Sequence, residues 1–156
     1  MSVPGKPDDA PLATVGVLVV GPSERVLLVR THKWGGRWGV PGGKIAYGEG
    51  MAAAARRELR EETGLDVYDL HWAPVQEAVD SPEFHRPAHL ILLNYVGRSR
   101  SEAVTLNREA ESYAWVSPED TLTMDLNSFT RVLVEHYRRH GFTTPAVAQA
   151  GEGPRA

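Results

Sequence analysis

The chain contains no cysteine among its 156 residues, which removes disulfide frameworks, thiol nucleophiles and thiolate metal sites from its chemistry. It also lacks any apolar run near the ~20 residues a membrane span needs. Its opening residues, MSVPGKPDDAPLA, have neither the basic start nor the apolar stretch of a signal peptide, so a cytoplasmic protein with no membrane partner is expected. An excess of positive charge is missing too: 17 Lys and Arg against 20 Asp and Glu give a formal net charge of −3. No basic stretch is long enough to track a phosphate backbone, so nucleic acid is not expected as a partner, although a few arginines can still hold single phosphates. There is no internal repeat. The length suits one domain with one core and is too short for two.

What is present reads as alternating elements. Residues 1–11 form a Pro- and Asp-containing leader expected to be flexible. Thr14–Val20 and Arg25–Thr31 are β-rich runs around GPSE, a hairpin signal. Val67–Val79 is expected to be extended, His89–Val96 to be a strongly apolar strand and Tyr113–Val116 a short one. Ser117, Pro118 and Glu119 start a helical turn with serine as N-cap and proline at the first helical position. A last helix over Asn127–Arg139 carries Phe129, Val132, Leu133 and Tyr137 on its inner face. Residues 141–156, small and polar, are expected to be disordered. Strands on both sides of a central helix, with a second helix at the end, predict an α/β fold: a mixed sheet covered on both faces over residues 12–140.

The most informative segment is GKIAYGEGMAAAARRELREETGL, Gly43–Leu65. As a helix over 50–63 it turns Met51, Ala52, Ala55 and Leu59 inward and crowds Glu58, Glu61 and Glu62 onto one stripe at i, i+3 and i+4. Three carboxylates so close repel one another unless a hard divalent cation neutralises them, and oxygen ligands suit Mg²⁺, with Mn²⁺ as a substitute. Pro41, Gly42 and Gly43 form a turn that lets backbone approach a ligand, and Gly64 stands where a helix C-cap wants a left-handed residue. Taken alone, the run also fits a solvated amphipathic helix whose Arg56, Arg57 and Arg60 pair with its glutamates.

The whole pattern separates these readings. Gly43, Glu49, Arg57, Glu58, Leu59, Glu61, Glu62, Gly64 and Leu65 fill, without insertion, the signature G-x5-E-x7-R-E-U-x-E-E-x-G-U, where U is aliphatic. In this the chain resembles the Nudix hydrolases (MutT-like), and nine positions in register are far more specific than a lone glycine motif. The resemblance implies the Nudix α/β/α sandwich and hydrolysis of a nucleoside diphosphate linked to another group. It implies that Glu58, Glu61 and Glu62, with the backbone carbonyl around Gly43, carry the metal. Arg57 is expected to orient a box glutamate, and Glu49 to brace the loop or bind metal indirectly. The resemblance leaves the general base open, and it implies a possible homodimer.

Outside the box the candidates are looser. Glu109 and Glu111 precede the Tyr113–Val116 strand, where relatives often supply another carboxylate; two surface glutamates on a loop would look the same. Arg30, Lys33, Arg37 and Lys44 surround the glycine turn and are phosphate candidates. Trp34 and Phe84 are candidates to stack on a base. His85 and His89 flank the Arg86-Pro87 turn, where either would contact phosphate, act as acid or base, or simply end a loop. The substrate class stays open among nucleotide sugars, ADP-ribose and (d)NTPs. The alternative of another class is a non-catalytic Nudix-fold sensor, which would be expected to have lost box carboxylates. An enzyme of capped or triphosphorylated RNA ends is disfavoured by the acidic charge.

Overall fold

The computed structural model describes residues 10–145; the leader, apart from its last two residues, and the tail beyond 145 lie outside the described residues. The elements run β1 (Leu12–Val20), β2 (Val26–Thr31), β3 (Trp38–Gly39), β4 (Gly42–Lys44), α1 (Met51–Thr63), β5 (Val67–Trp72), β6 (Gln76–Val79), β7 (His89–Ser99), β8 (Ala110–Val116) and α2 (Ser128–His140). One-turn 3-10 segments lie at His32–Trp34 and Asp120–Thr123. The strands make one mixed sheet in the order β3-β2-β1-β7-β5, with β4 on β1, β6 on β7 and β8 on β2. Among the described strands only β1 and β7 run parallel, in an unbroken register from Leu12 opposite Leu90 to Val20 opposite Arg98.

β1 shows why two helices are needed. Its sequence VGVLVV is apolar at every position except the glycine, as befits a strand buried on both faces. Val15, Val17 and Val19 face one way, into a core with Ala54, Ala55 and Leu59 of α1 and Tyr95 of β7. Leu18 and Val20 face the other way, onto Leu133 and Val134 of α2. The result is the expected α/β/α sandwich.

Both helices keep their expected limits. α1 ends on Gly64, whose φ of 75° is the left-handed C-cap geometry and whose N–H donates to the Arg60 carbonyl. α2 begins on Asn127, whose side-chain oxygen accepts from the Thr130 N–H at 2.8 Å, an N-cap contribution of about 1 kcal/mol. Their inner faces are rotated from the sequence reading. Ala54 is buried and Met51 is 40% exposed. In α2, Val134 is buried and Val132 is 44% exposed. Residues 141–145, expected to belong to a disordered tail, instead continue onto the sheet. Phe142 packs on Tyr137 and under the Arg98 guanidinium, and the Thr144 hydroxyl donates to the Trp72 carbonyl at 2.7 Å.

The glycine turn is set by close backbone contact. A Cβ on Gly42 would sit 2.0 Å from the Val15 carbonyl oxygen and 2.9 Å from the Gly16 Cα, both rigid backbone. Gly42→Ala is therefore expected to cost about 3 kcal/mol by forcing β4 off β1. Gly50→Ala, with nothing within 4 Å of its Cβ position, should cost less than about 1 kcal/mol. Urea unfolding midpoints measure both; equal midpoints would show that β4 yields freely.

Candidate active site

Three carboxylates converge where α1 faces β4 and the loop before β8. Oxygens of Glu58, Glu62 and Glu109 lie within 4.8 Å of one another. Their placement follows from local structure. Glu58 and Glu62 are one helical turn apart, and Glu58 lies against Gly43, where a Cβ would come within 2.5 Å of its carboxyl carbon. Gly43 is thus the residue whose missing side chain admits the carboxylate. Glu109 comes from far along the chain because the preceding loop is tied to the end of α1: the Thr105 N–H donates to the Thr63 carbonyl and the Asn107 N–H to that of Glu62.

Electrostatics mark the cluster as strained without a cation. Glu62 is only 1% exposed, and its Oε1 has no hydrogen-bond partner. Burial pushes its carboxyl up to about 8, with Glu109 and Glu58 adding in the same direction, while the Lys33 charge and the Gly42 N–H oppose the rise. Burial also raises the Glu58 carboxyl, against the pull of Arg57. A buried carboxylate oxygen without a donor, faced by two more carboxylates, fits a hard divalent cation, which would neutralise all three. Glu58, Glu62 and Glu109 are the residues that would hold it.

Around the cluster Arg57 fixes the loop to the helix. It grips Glu49 through two nitrogens at 2.7 and 2.9 Å, donates to the Lys44 carbonyl at 3.0 Å, and reaches Glu58 at 3.0 Å. Glu61 accepts from the same guanidinium at 3.4 Å and is turned to solvent, outside the three-carboxylate cluster. The Arg57 hydrogen bonds hold the Glu49 carboxyl down to about 2. The helical arginines divide accordingly: Arg57 serves the site, whereas Arg60 pairs with Asp66 and Arg56 caps the Val67 carbonyl.

Beside the carboxylates opens a cavity of about 290 Å³ between the sheet and α2. Of the residues expected at substrate, Lys33, Trp34, Lys44, Phe84 and His85 line it, as does Gly43. Trp34 is central to its aromatic wall, with ring centroids 4.9 Å from Phe84 and 5.6 Å from Phe129. Lys33 stands at the junction of cavity and cluster, its Nζ donating to the Gly42 carbonyl at 3.2 Å. The loop carrying Phe84 is held by the His85 N–H on the Lys33 carbonyl at 2.8 Å and by Glu83 accepting from the Ser128 N–H and hydroxyl. Arg30 and Arg37 are not in the lining: Arg30 lies over the Trp38 ring and Arg37 pairs with Glu83. Glu111 is taken by His32 and His89 by Glu77. Sequence reasoning did not single out Asn94, Asn127 or Phe129 as lining residues. An asparagine inside the apolar run HLILLNYV was the available signal for the first.

The NUDIX domain family matches residues 10–137. The chain belongs to the Nudix family. It is 38% identical over 103 residues to the nucleoside triphosphatase NudI of Klebsiella pneumoniae, an alignment covering 62% of this chain and 73% of that protein. Among solved structures, a MutT protein from Methanosarcina mazei superposes with a TM-score of 0.71 at 26% identity, covering 86% of this chain and 97% of its own. The Nudix domain of Shewanella oneidensis NrtR, solved with ADP-ribose, superposes at 0.72 with 21% identity over 86% and 92% of the two chains, a likeness of fold alone. This Nudix protein is a pyrophosphohydrolase by family, and no helix among its described residues is long and apolar enough to cross a membrane.

Proposed function

We infer that this chain is a Mg²⁺-dependent pyrophosphohydrolase of nucleoside triphosphates, in which water attacks one phosphorus of the triphosphate chain. The observation that carries this reading is continuity: carboxylate cluster, Lys33 and an aromatic-walled cavity follow one another in the order of phosphates, sugar and base. The relatives named nucleoside triphosphatase support the choice of triphosphate over nucleotide sugar or ADP-ribose. Glu58, Glu62 and Glu109 would hold the divalent cation, whose chemistry there would be charge neutralisation and acidification of a water.

The chain's own groups do the rest. Lys33 and Lys44 hold phosphate oxygens at the cavity mouth. Trp34 and Phe84, packed edge to face on each other, form the wall against which the base rests, and that wall keeps water from that end. Arg57 holds Glu58 in place, directly and through the loop it shares with Glu49. Glu109, on the exposed side of the cluster, and Glu58 are the carboxylates that can accept the proton from the attacking water; Glu61, turned to solvent beside Arg57, stands outside the cluster.

The test is release of phosphate and pyrophosphate from each (d)NTP, ADP-ribose, several nucleotide sugars and dinucleoside polyphosphates, with Mg²⁺, with Mn²⁺ and with EDTA. Turnover of triphosphates, abolished by EDTA and restored by either ion, is the expected result. Preferred turnover of another class would reassign the substrate. Nucleotide binding with no turnover of any class would make the chain a sensor.

A further inference from the structure

The sheet face beneath α2 is apolar along the cavity apart from two residues, Thr14 and Asn94. Leu12, Thr14 and Gly16 of β1 alternate beside Leu90, Leu92 and Asn94 of β7 in parallel register, and all six line the cavity. The Thr14 hydroxyl is used, donating to the Ile91 carbonyl at 3.1 Å. Asn94 is used only by half. Its Nδ2 donates to the Pro74 carbonyl at 3.0 Å; a carbonyl can only accept, so the amide orientation is fixed and Oδ1 must point the other way. No described residue donates to that oxygen, although Asn94 is only 5% exposed. Opposite it stands Gly16, where a Cβ would come to 3.0 Å from Oδ1 and 3.1 Å from Val40 Cγ2. The absent side chain leaves the oxygen open to the cavity.

An amide oxygen with an unused lone pair at the surface of a cavity framed by leucines and aromatic rings favours a flat ligand that offers an N–H at that point over one that offers another oxygen. We propose that Asn94 Oδ1 reads the substrate's base, favouring nucleotides with an exocyclic amino group over keto counterparts of the same shape. This rests on the nucleotide reading above and adds its specificity determinant. Asn94 lies on the cavity floor away from the carboxylate cluster, so its effect falls on recognition of the base and not on phosphate chemistry.

Two pairs exchange the exocyclic amino group for a keto oxygen and turn the adjacent ring nitrogen from acceptor to N–H donor: dATP against dITP, and dCTP against dUTP. The triphosphate of purine deoxyriboside, which lacks the amino group and gains no ring N–H, separates the two changes. The full chain is assayed for kcat/KM with Mg²⁺ and, in parallel, for binding by calorimetry in a metal-free buffer. The wild type is expected to favour the amino member of at least one pair by about 10-fold or more, in KM and in binding. Asn94→Leu should bring that ratio near 1. Gly16→Ala, which shields Oδ1 and leaves the Pro74 hydrogen bond intact, should lower it as well. Because both members of a pair are measured on one preparation, the ratio is independent of how much of a variant folds. No preference in the wild type, or a preference that survives in both variants, overturns the proposal. A binding preference without turnover leaves the base reader standing and removes the hydrolase reading; absence of both binding and turnover for every nucleotide removes both.

Discussion

Replacing Glu62 by glutamine should make the metal-free protein more stable near pH 8 while lowering metal-dependent turnover by more than about 100-fold, beyond what loss of a supporting residue costs. The two effects have one cause. Glu62 is buried beside two carboxylates, and its folded-state value is raised from 4.5 to about 8. For a group raised in this way the neutral form is the one the fold tolerates. Its contribution to stability is whole below about 4.5 and is lost as pH rises through about 8. The raised Glu58 carboxyl acts in the same direction. The wild type without metal should therefore lose a few kcal/mol between these limits. Glutamine, of the same shape and uncharged at all pH values, should flatten that part of the curve. A divalent cation reverses the penalty by exchanging for the proton, so Mn²⁺ or Mg²⁺ should raise the wild-type melting temperature, more at pH 8 than at pH 6, and leave the variant unmoved. Parallel melting curves of the two proteins across pH, with and without metal, would sink this account of the site.

How much of this was legible beforehand depends on what spacing encodes. The stripe of box glutamates and the capping Gly64 were readable because each is set by local geometry, a helical period or a left-handed φ. The division of labour among the glutamates was not. Glu58, Glu61 and Glu62 share a stripe by spacing, but which of them turns to the cluster depends on side-chain direction and on Arg57. That arginine faces Glu61, whereas Glu62 is drawn inward under Gly42 and Lys33. Glu109 was indistinguishable in sequence from Glu111. Two hydrogen bonds from the loop to the end of α1 bring the first to the carboxylate cluster, and His32 takes the second. The rotated inner faces of α1 and α2 have the same origin: period fixes which residues share a face, and only the partner sheet fixes which face is in. Asn94 and Asn127 escaped because a polar residue in a strand or at a helix start is ordinary until a cavity is seen beside it.

Arg57→Ala should cost roughly 10–100-fold in metal affinity or activity and should also lower the melting temperature, since the Glu49 and Glu58 side chains are only 17% and 12% exposed and would lose their partner. The geometry explains both effects. One guanidinium takes both oxygens of Glu49, the Lys44 carbonyl and Glu58, so it holds the glycine loop at the distance from α1 at which Glu58 covers Gly43. Lysine offers a compact charge without the planar fork and cannot meet Glu49 and Glu58 at once; Arg57→Lys should recover little of the loss. A positioning role also predicts the form of the defect. The half-saturating Mg²⁺ concentration should rise in Arg57→Ala, and in Glu49→Gln to a lesser extent. The double variant should be scarcely worse than Arg57→Ala alone, because the two side chains act as one unit. Additive losses would mean that Glu49 reaches the metal by its own route, and an unshifted Mg²⁺ curve in Arg57→Lys would mean that charge alone, not the fork, is what the site requires.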